Sequence, residues 1–311
     1  MPSGIQAIVC AVDFSAFTPL VVAHGVALAG RAGVGLHLVH AVHTPQDDLH
    51  PTARFERGGD RDALTASARR RMADLMRGVD LTWEDGVVFG DPVAQIAALV
   101  KKLPPCLVVS ASHGVSGFRR FFIGTVVERL TRTLVRPMLV VKPGDAGVAR
   151  PATGFRSALI SCDNHGHWQR AAPLLAPLLT GPAPSVHLLH VMEDPLEADP
   201  REVDSQPYGQ FQQGRQAHLR QALAAEVQRL FPQAESPSLS VEVAPGVPQE
   251  MLLQVAERRA SDLIVVGVRA SSRIERLIAG STTEALLRHS PCAVLTLPEA
   301  NRSAVAGDTA P

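Results

Sequence analysis

Three groups of residues in this chain have the types and spacing to do chemistry. The first is the stretch SASHGVSGFRRFFIGT, Ser110 to Thr125, which follows the apolar run CLVV (Cys106 to Val109). Gly114, Gly117 and Gly124 let the main chain approach a ligand closely and adopt positive φ. A helix starting at Gly124-Thr125 would present unpaired N–H groups, the positive end of its dipole and the Thr125 hydroxyl, a set that favours a phosphate. A strand-to-helix turn that uses glycine for backbone reasons alone has the same composition, and both readings stand on these residues. There is no GxGxxG, no GxxxxGK[ST] and no lysine in the loop, which disfavours a Walker-type NTPase. A related stretch, GVRASSRIERLIAGS, spans Gly267 to Ser281 with its glycines placed differently.

The second group is Asp13 and Asp163, each at the end of an apolar run. An acid there can accept hydrogen bonds from a ribose or base. Alternatively, it can cap the turn that follows, and Asp13 has Ser15 and Thr18 nearby for that. The third group is basic. His40 and His190 sit inside apolar runs and read as packed histidines. His165 and His167 are two metal-ligand types without a third. Arg69-Arg70-Arg71 reads as a solvated helix face, or otherwise as a patch for a polyanion. No HExxH or GxSxG occurs, and no nucleophile–base pair is legible. Turnover of a bound nucleotide would rest on positioning and a metal ion alone and would be slow, at most weak ATP hydrolysis. That favours a sensor or switch over an efficient enzyme.

Short apolar runs alternating with longer amphipathic ones position these groups, the pattern of a parallel sheet with helical crossovers. Strands are expected at Ala7 to Ser15, Gly35 to Val42, LTWEDGVV, CLVVSA and PMLVVK. Helices are expected at about Thr18 to Ala32, Asp60 to Arg77, after Gly90-Asp91-Pro92 to near Lys102, and Gly124 to Leu134. The second half repeats the first. Asp13 with Asp163 and His40 with His190 are separated by 150 residues; Gly90 with Gly246, Gly124 with Gly280 and Met138 with Val294 by 156. Matched strand ends at constant offsets indicate duplication. The six extra residues fall between the second and third strands of the second copy, where Asp194 to Gln210 reads as a loop. A Pro/Gly linker, Pro143 to Gly154, separates domain 1 (residues 1–147) from domain 2 (residues 153–299), and the tail after Leu297 reads as frayed.

The totals agree with this plan. The chain has 311 residues, enough for two ordinary domains, and 46% are hydrophobic, enough for packed cores. Acids and bases balance at 30 each, which gives no electrostatic reason for nucleic-acid or acidic-membrane binding. No apolar run reaches the roughly 18 residues of a membrane span. The start of the chain has no basic region before its short apolar stretch, which argues against a signal peptide. Cys10, Cys106, Cys162 and Cys292 lie in or beside apolar runs without CxxC spacing, as buried free thiols in a reducing, cytoplasmic compartment.

At this point the chain resembles the universal stress protein family in a tandem two-domain form. The family's loop signature is G-x2-G-x9-G-[ST] after the fourth strand. It stands here as Ala111-x2-Gly114-x9-Gly124-Thr125 and as Gly267-x2-Ala270-x9-Gly280-Ser281, with one glycine replaced in each copy and a different one each time. The opening strand is similar in Ala11-Val12-Asp13-Phe14-Ser15, and the family's last strand in Leu287 to Leu295.

The resemblance implies two tandem flavodoxin- or Rossmann-like α/β domains, each a five-stranded parallel sheet of order 3-2-1-4-5 with helices on both faces. It also implies an ATP site, with Mg2+ as the accompanying ion. In the first copy that site maps to Asp13, the backbone of Ala41, Ala111, Gly114, Gly124 and Thr125. In the second it maps to Asp163, the backbone of Val191, Gly267, Gly280 and Ser281. A Cβ at 111 or 270 would matter if the position needs positive φ or close phosphate approach. In the second copy, moreover, Phe14 and Ser15 become Asn164 and His165, so the first copy is the favoured site.

The family's fifth-strand pairing would here join PMLVVK to AVLTLP within one chain, leaving a homodimer and a protein partner open. The reading is a cytoplasmic stress-response regulator that binds ATP or a related adenine nucleotide. Its alternative is a nucleotide-independent interaction module, or a binder of another small molecule.

Overall fold

The computed structural model describes residues 4–43, 58–112, 124–142, 154–162, 167–192, 206–230, 238–268 and 281–298. The first half runs β1 (Ala7–Ala11), α1 (Thr18–Ala32), β2 (Gly35–Val42), α2 (Gly58–Leu75), β3 (Trp83–Phe89), α3 (Pro92–Lys102), β4 (Cys106–Ala111), α4 (Thr125–Thr133) and β5 (Met138–Val141). The second runs β6 (Ser157–Ser161), a 3₁₀ turn (His167–Arg170), α5 (Ala172–Leu178), β7 (Ser185–Met192), α6 (Gln206–Leu230), β8 (Ser238–Pro245), α7 (Pro248–Arg258), β9 (Leu263–Val268), α8 (Ser281–His289) and β10 (Ala293–Pro298).

The strand order is β3-β2-β1-β4-β5-β10-β9-β6-β7-β8. Each half therefore has the expected 3-2-1-4-5 order, but the two form one ten-stranded sheet. The register repeats at the offsets seen in the sequence. Ile8 faces Leu107 as Ala158 faces Leu263, Leu36 faces Trp83 as Val186 faces Leu239, and Val108 faces Met138 as Ile264 faces Val294. Strands within each half are parallel. At the seam β5 and β10 run antiparallel, with Leu139 opposite Leu295, which removes two sheet edges of the kind that invite aggregation.

Two hydrophobic layers cover the sheet, and both run through both halves. One holds Cys10, Leu28, Leu36, Met72 and Leu175, the other Val108, Val100, Leu130, Leu252 and Leu286. Helix α1 lies very close to β1: a Cβ on Gly25 would stand 2.1 Å from Cys10 Sγ. All four cysteines are free and buried, and burial pushes the Cys106 thiol up to about 11.

The seam is also fastened on each face. On one, Arg132 bonds both Glu128 and Glu284 at 3.0 Å, while Arg288 bonds Glu284 at 2.8 Å and Glu128 at 3.2 Å. This four-member ring pairs α4 with α8 and obeys the 156-residue offset. Lys142 Nζ adds a hydrogen bond to Ser290 O at 2.8 Å. On the other face Arg31 Nε donates to Pro177 O at 2.7 Å, and the His24 ring stacks on Phe155 with centroids 5.8 Å apart.

Two local readings are corrected. The first strand ends at Ala11, short of Ser15, because Asp13 turns back onto the Ser15 amide and Phe14 takes φ 57°. The loop expected over Asp194 to Gln210 gives way to helix from Gln206, since Pro207 sits in the first turn, where its missing N–H has no intrahelical partner to lose. The linker and the tail beyond Pro298 lie outside the described residues.

Candidate functional site

The order β2-β1-β4-β5 reverses between β1 and β4, and the carboxyl ends of those strands flank the crevice where open α/β sheets bind ligands. After β4, Ser112 N donates to Val141 O at 3.0 Å, and Gly124 N donates to Ser112 O at 3.0 Å. The two ends of the glycine stretch are thereby closed onto each other, and α4 starts at the mouth of the crevice. Gly124 is the N-cap of α4 and brings no side-chain cap, while Thr125 is exposed at the first helical position. Among the described residues no side chain caps the first turn, the condition under which a helix start attracts an anion.

Ala111 is buried in β4 opposite Val141, and neither it nor Gly267 in β9 has positive φ. The first glycine of the signature therefore occupies regular strand in both copies, and an alanine there costs no backbone strain.

Asp13 is exposed just beyond β1. Its Oδ1 accepts from Ser15 N at 3.0 Å and from Thr18 Oγ1 at 3.2 Å, so the carboxylate organises the turn into α1. Ala41 and Val191 lie at the carboxyl ends of β2 and β7, opposite Val88 and Ala244. Ser281 is the first residue of α8. Gly114, Asp163 and Gly280 lie outside the described residues, as do Ala270 and His165.

His40 and His190 play one structural part twice. His40 Nδ1 meets Val12 O at 2.8 Å and His190 Nδ1 meets Cys162 O at 2.8 Å, tying the end of each half's second strand to the end of its first. Burial lowers the His40 pKa, so the ring is neutral and donates its Nδ1–H to that carbonyl.

Sequence reading missed two arginines here. The Arg69-Arg70-Arg71 run is exposed, as a solvated face should be, but Arg69 pairs with Asp85 at 2.7 Å and Arg71 covers the site. The Arg71 guanidinium lies 4.0 Å over the Phe14 ring, whose other neighbour is the His40 ring at 4.4 Å. A positive charge on an aromatic face is favourable, and it fixes Phe14 in a left-handed conformation unusual for a bulky residue.

Arg129, one turn into α4, grips Asp91 with both nitrogens at 2.9 and 3.1 Å, while Asp91 also caps α3 through Ala94 N at 2.9 Å. Burial pushes the Asp91 pKa up, but the Ala94 amide and Arg129 outweigh it and hold the carboxyl below its ordinary value. Gly90, at φ 116°, makes the sharp exit from β3 that places Asp91, and Gly246 repeats it at φ 138°. No sequence motif spans the separation between Asp91 and Arg129. The second copy has Val247 and Ala285 at those positions, with Val247 44% exposed, so the pair that braces the first site has no counterpart.

Among the described residues no group of three His, Cys, Asp or Glu could hold a metal ion, and no helix is long and apolar enough to cross a membrane.

Comparison with known proteins places this geometry. The Universal stress protein family model matches twice, over residues 4–142 and 155–298. A universal stress protein of Methanocaldococcus jannaschii is 32% identical over 59 residues, 19% of this chain and only 35% of that protein. Among solved structures, a universal stress protein from Archaeoglobus fulgidus aligns with TM-score 0.66 at 18% identity, covering 94% of this chain and 98% of its own. A functionally unknown protein from Pseudomonas aeruginosa aligns with TM-score 0.65 at 15% identity, covering 96% and 94%. At these identities the structures speak for the fold, and the twice-matched family model speaks for descent: the chain belongs to the universal stress protein family, with two such domains in tandem.

Proposed function

We propose that the first half binds ATP or a related adenine nucleotide in the crevice between β1 and β4, and that the protein is a cytoplasmic stress-response regulator. The observation that carries this reading is the closure of the glycine stretch by Gly124 N on Ser112 O, which sets the uncapped start of α4 at the switch point. Asp13, the Ala41 backbone, Gly114, Gly124 and Thr125 are the residues assigned to the ligand. Asp163, the Val191 backbone, Gly267, Gly280 and Ser281 form the weaker counterpart, since the second half lacks the Asp91–Arg129 brace. The strand conformation of Ala111 removes one objection to binding in the first half. Four buried free thiols fit a reducing compartment.

The alternative, an interaction module that binds no nucleotide, draws on one observation. Among the described residues both hydrogen bonds that Asp13 accepts go through Oδ1 to its own turn. Titration calorimetry of nucleotide-stripped protein with ATP separates the two. Saturable heat is expected, and Gly124→Asp should abolish it by setting a carboxylate against phosphate. A flat titration at millimolar ATP would favour the interaction module, and unchanged affinity in the variant would move the site elsewhere.

A further inference from the structure

The outer edge of the second half holds a polar cluster that the nucleotide reading does not use. On β7, His187 faces Ser240 of β8 directly across the ladder. The two alternate neighbours, Leu239 and Val241, pack into the core on one side of the sheet, so Ser240 and Glu242 project from the other. Helix α7 ends on that side with Arg258. His187 Nδ1 lies 2.7 Å from Ser240 Oγ, and His187 Nε2 lies 3.1 Å from Glu242 Oε2. Arg258 Nη2 donates to both Glu242 oxygens, at 2.8 and 2.9 Å.

Glu242 lies beside Nε2, so Nε2 carries the proton and donates it. That leaves Nδ1 as the acceptor for the Ser240 hydroxyl. This is the connectivity of a nucleophile, its base and the acid that orients the base, recognisable by roles and not by chain position. The His187 side chain is 4% exposed, so the base is shielded from water, and Ser240 beside it is only partly buried.

We propose that Ser240, His187 and Glu242 form a hydrolytic site at the sheet edge, where Ser240 is acylated by small activated esters or thioesters and deacylated by water. Ser240 Oγ attacks the carbonyl carbon as its proton passes to His187 Nδ1. The resulting imidazolium is stabilised by the Glu242 carboxylate. Collapse expels the alkoxide or thiolate, which takes the proton from Nδ1 and leaves acyl-Ser240. Water repeats the sequence, releasing the carboxylic acid and restoring the serine.

A donor for the oxyanion is also at hand. Ser238 N donates to Pro184 O and Gly246 N to Met192 O, so along β8 the even-numbered amides face β7. The Val241 N–H, next after the nucleophile, therefore faces the outer edge of the last strand in the sheet, where Gln216 of α6 bonds the next outward carbonyl, Val243 O. The protonation states agree with these roles. Burial, then Arg259, lowers the His187 pKa; burial pushes Glu242 up, but Arg258 outweighs it and keeps the carboxyl ionised.

The first half is an internal control. There Glu84 stands where Ser240 does, meeting His37 at 3.4 Å, and Gly86 stands where Glu242 does, so the equivalent cluster has neither the hydroxyl nor the orienting acid.

The test is reaction of the full, nucleotide-free chain with a fluorophosphonate probe, mapped by peptide mass spectrometry, beside hydrolysis of p-nitrophenyl acetate. One adduct, on Ser240, is expected. Ser240→Ala should melt like wild type yet lose both adduct and hydrolysis. Glu242→Gln should label about 100-fold more slowly, the range expected for loss of an aligned general base. No adduct, an adduct on another residue, or labelling of Glu242→Gln at the wild-type rate would overturn the proposal.

Discussion

The contact between Gly25 and Cys10 allows a stringent test of how α1 is seated over β1. Gly25→Ala would place a methyl 2.1 Å from Cys10 Sγ and 3.1 Å from Leu36 Cδ1. Carbon–sulfur contact needs roughly 3.5–4 Å, so the methyl falls about 1.5 Å short of room. In an exposed helix the same change would stabilise by roughly 0.5–1 kcal/mol, because glycine loses more backbone freedom on folding. Here overpacking, at about 1–3 kcal/mol, should exceed that gain and leave a net loss of roughly 1–2 kcal/mol. Cys10 is completely buried, and Cys10→Ala alone should cost about 1 kcal/mol for the lost sulfur. In the double variant the new methyl occupies the space the sulfur left, and the helix keeps its entropic gain, so stability should return close to wild type. Urea denaturation of the four proteins closes the cycle. A coupling energy of at least about 1 kcal/mol in favour of the double variant is expected, whereas independent sites add within about 0.5 kcal/mol. Additive losses, or a Gly25→Ala variant more stable than wild type, would refute the close seating of α1.

Two further predictions bear on the seam. Arg288→Ala removes one contact within α8 and one across to α4, each between side chains about a quarter to a third exposed, and should cost about 1–2 kcal/mol at low salt. Half a molar NaCl should shrink that loss in thermal melts, and an undiminished loss would mean the ring acts by packing and not by charge. His24, against Phe155, has its pKa lowered to about 4 by burial and then by Arg31. Its folded pKa lies below the unfolded value of about 6.5, so the unfolded chain binds the extra proton and stability falls as pH drops from about 6.5 towards 4. Between pH 7 and pH 5 the share due to His24 should be roughly 1–2 kcal/mol, and a His24→Gln variant should lose correspondingly less across that interval. Equal acid sensitivity in both proteins would place the titrating group elsewhere.

Duplication and element types were legible because they rest on periodicity and on repeated strand ends, whereas the strand order within each half came from the family resemblance. The offsets of 150 and 156 reappear as matched registers on either side of the seam. The seam was expected from the family's fifth-strand pairing, and it covers the edge that a fifth strand would otherwise leave bare in each half. Boundaries were less so: Phe14 at φ 57° ends the first strand, and nothing in a run of apolar residues announces a left-handed turn.

By itself, then, the sequence determined a tandem α/β chain with a glycine stretch after each fourth strand, because local pattern and repetition carry that information along one dimension. Only the tertiary structure decided the cover of Arg71 over Phe14, the Asp91–Arg129 brace and the Ser240–His187–Glu242 cluster. Each of these depends on where side chains meet across strands and helices. Such meetings arise from sheet register and helix seating, which bring together residues that share no spacing in the chain.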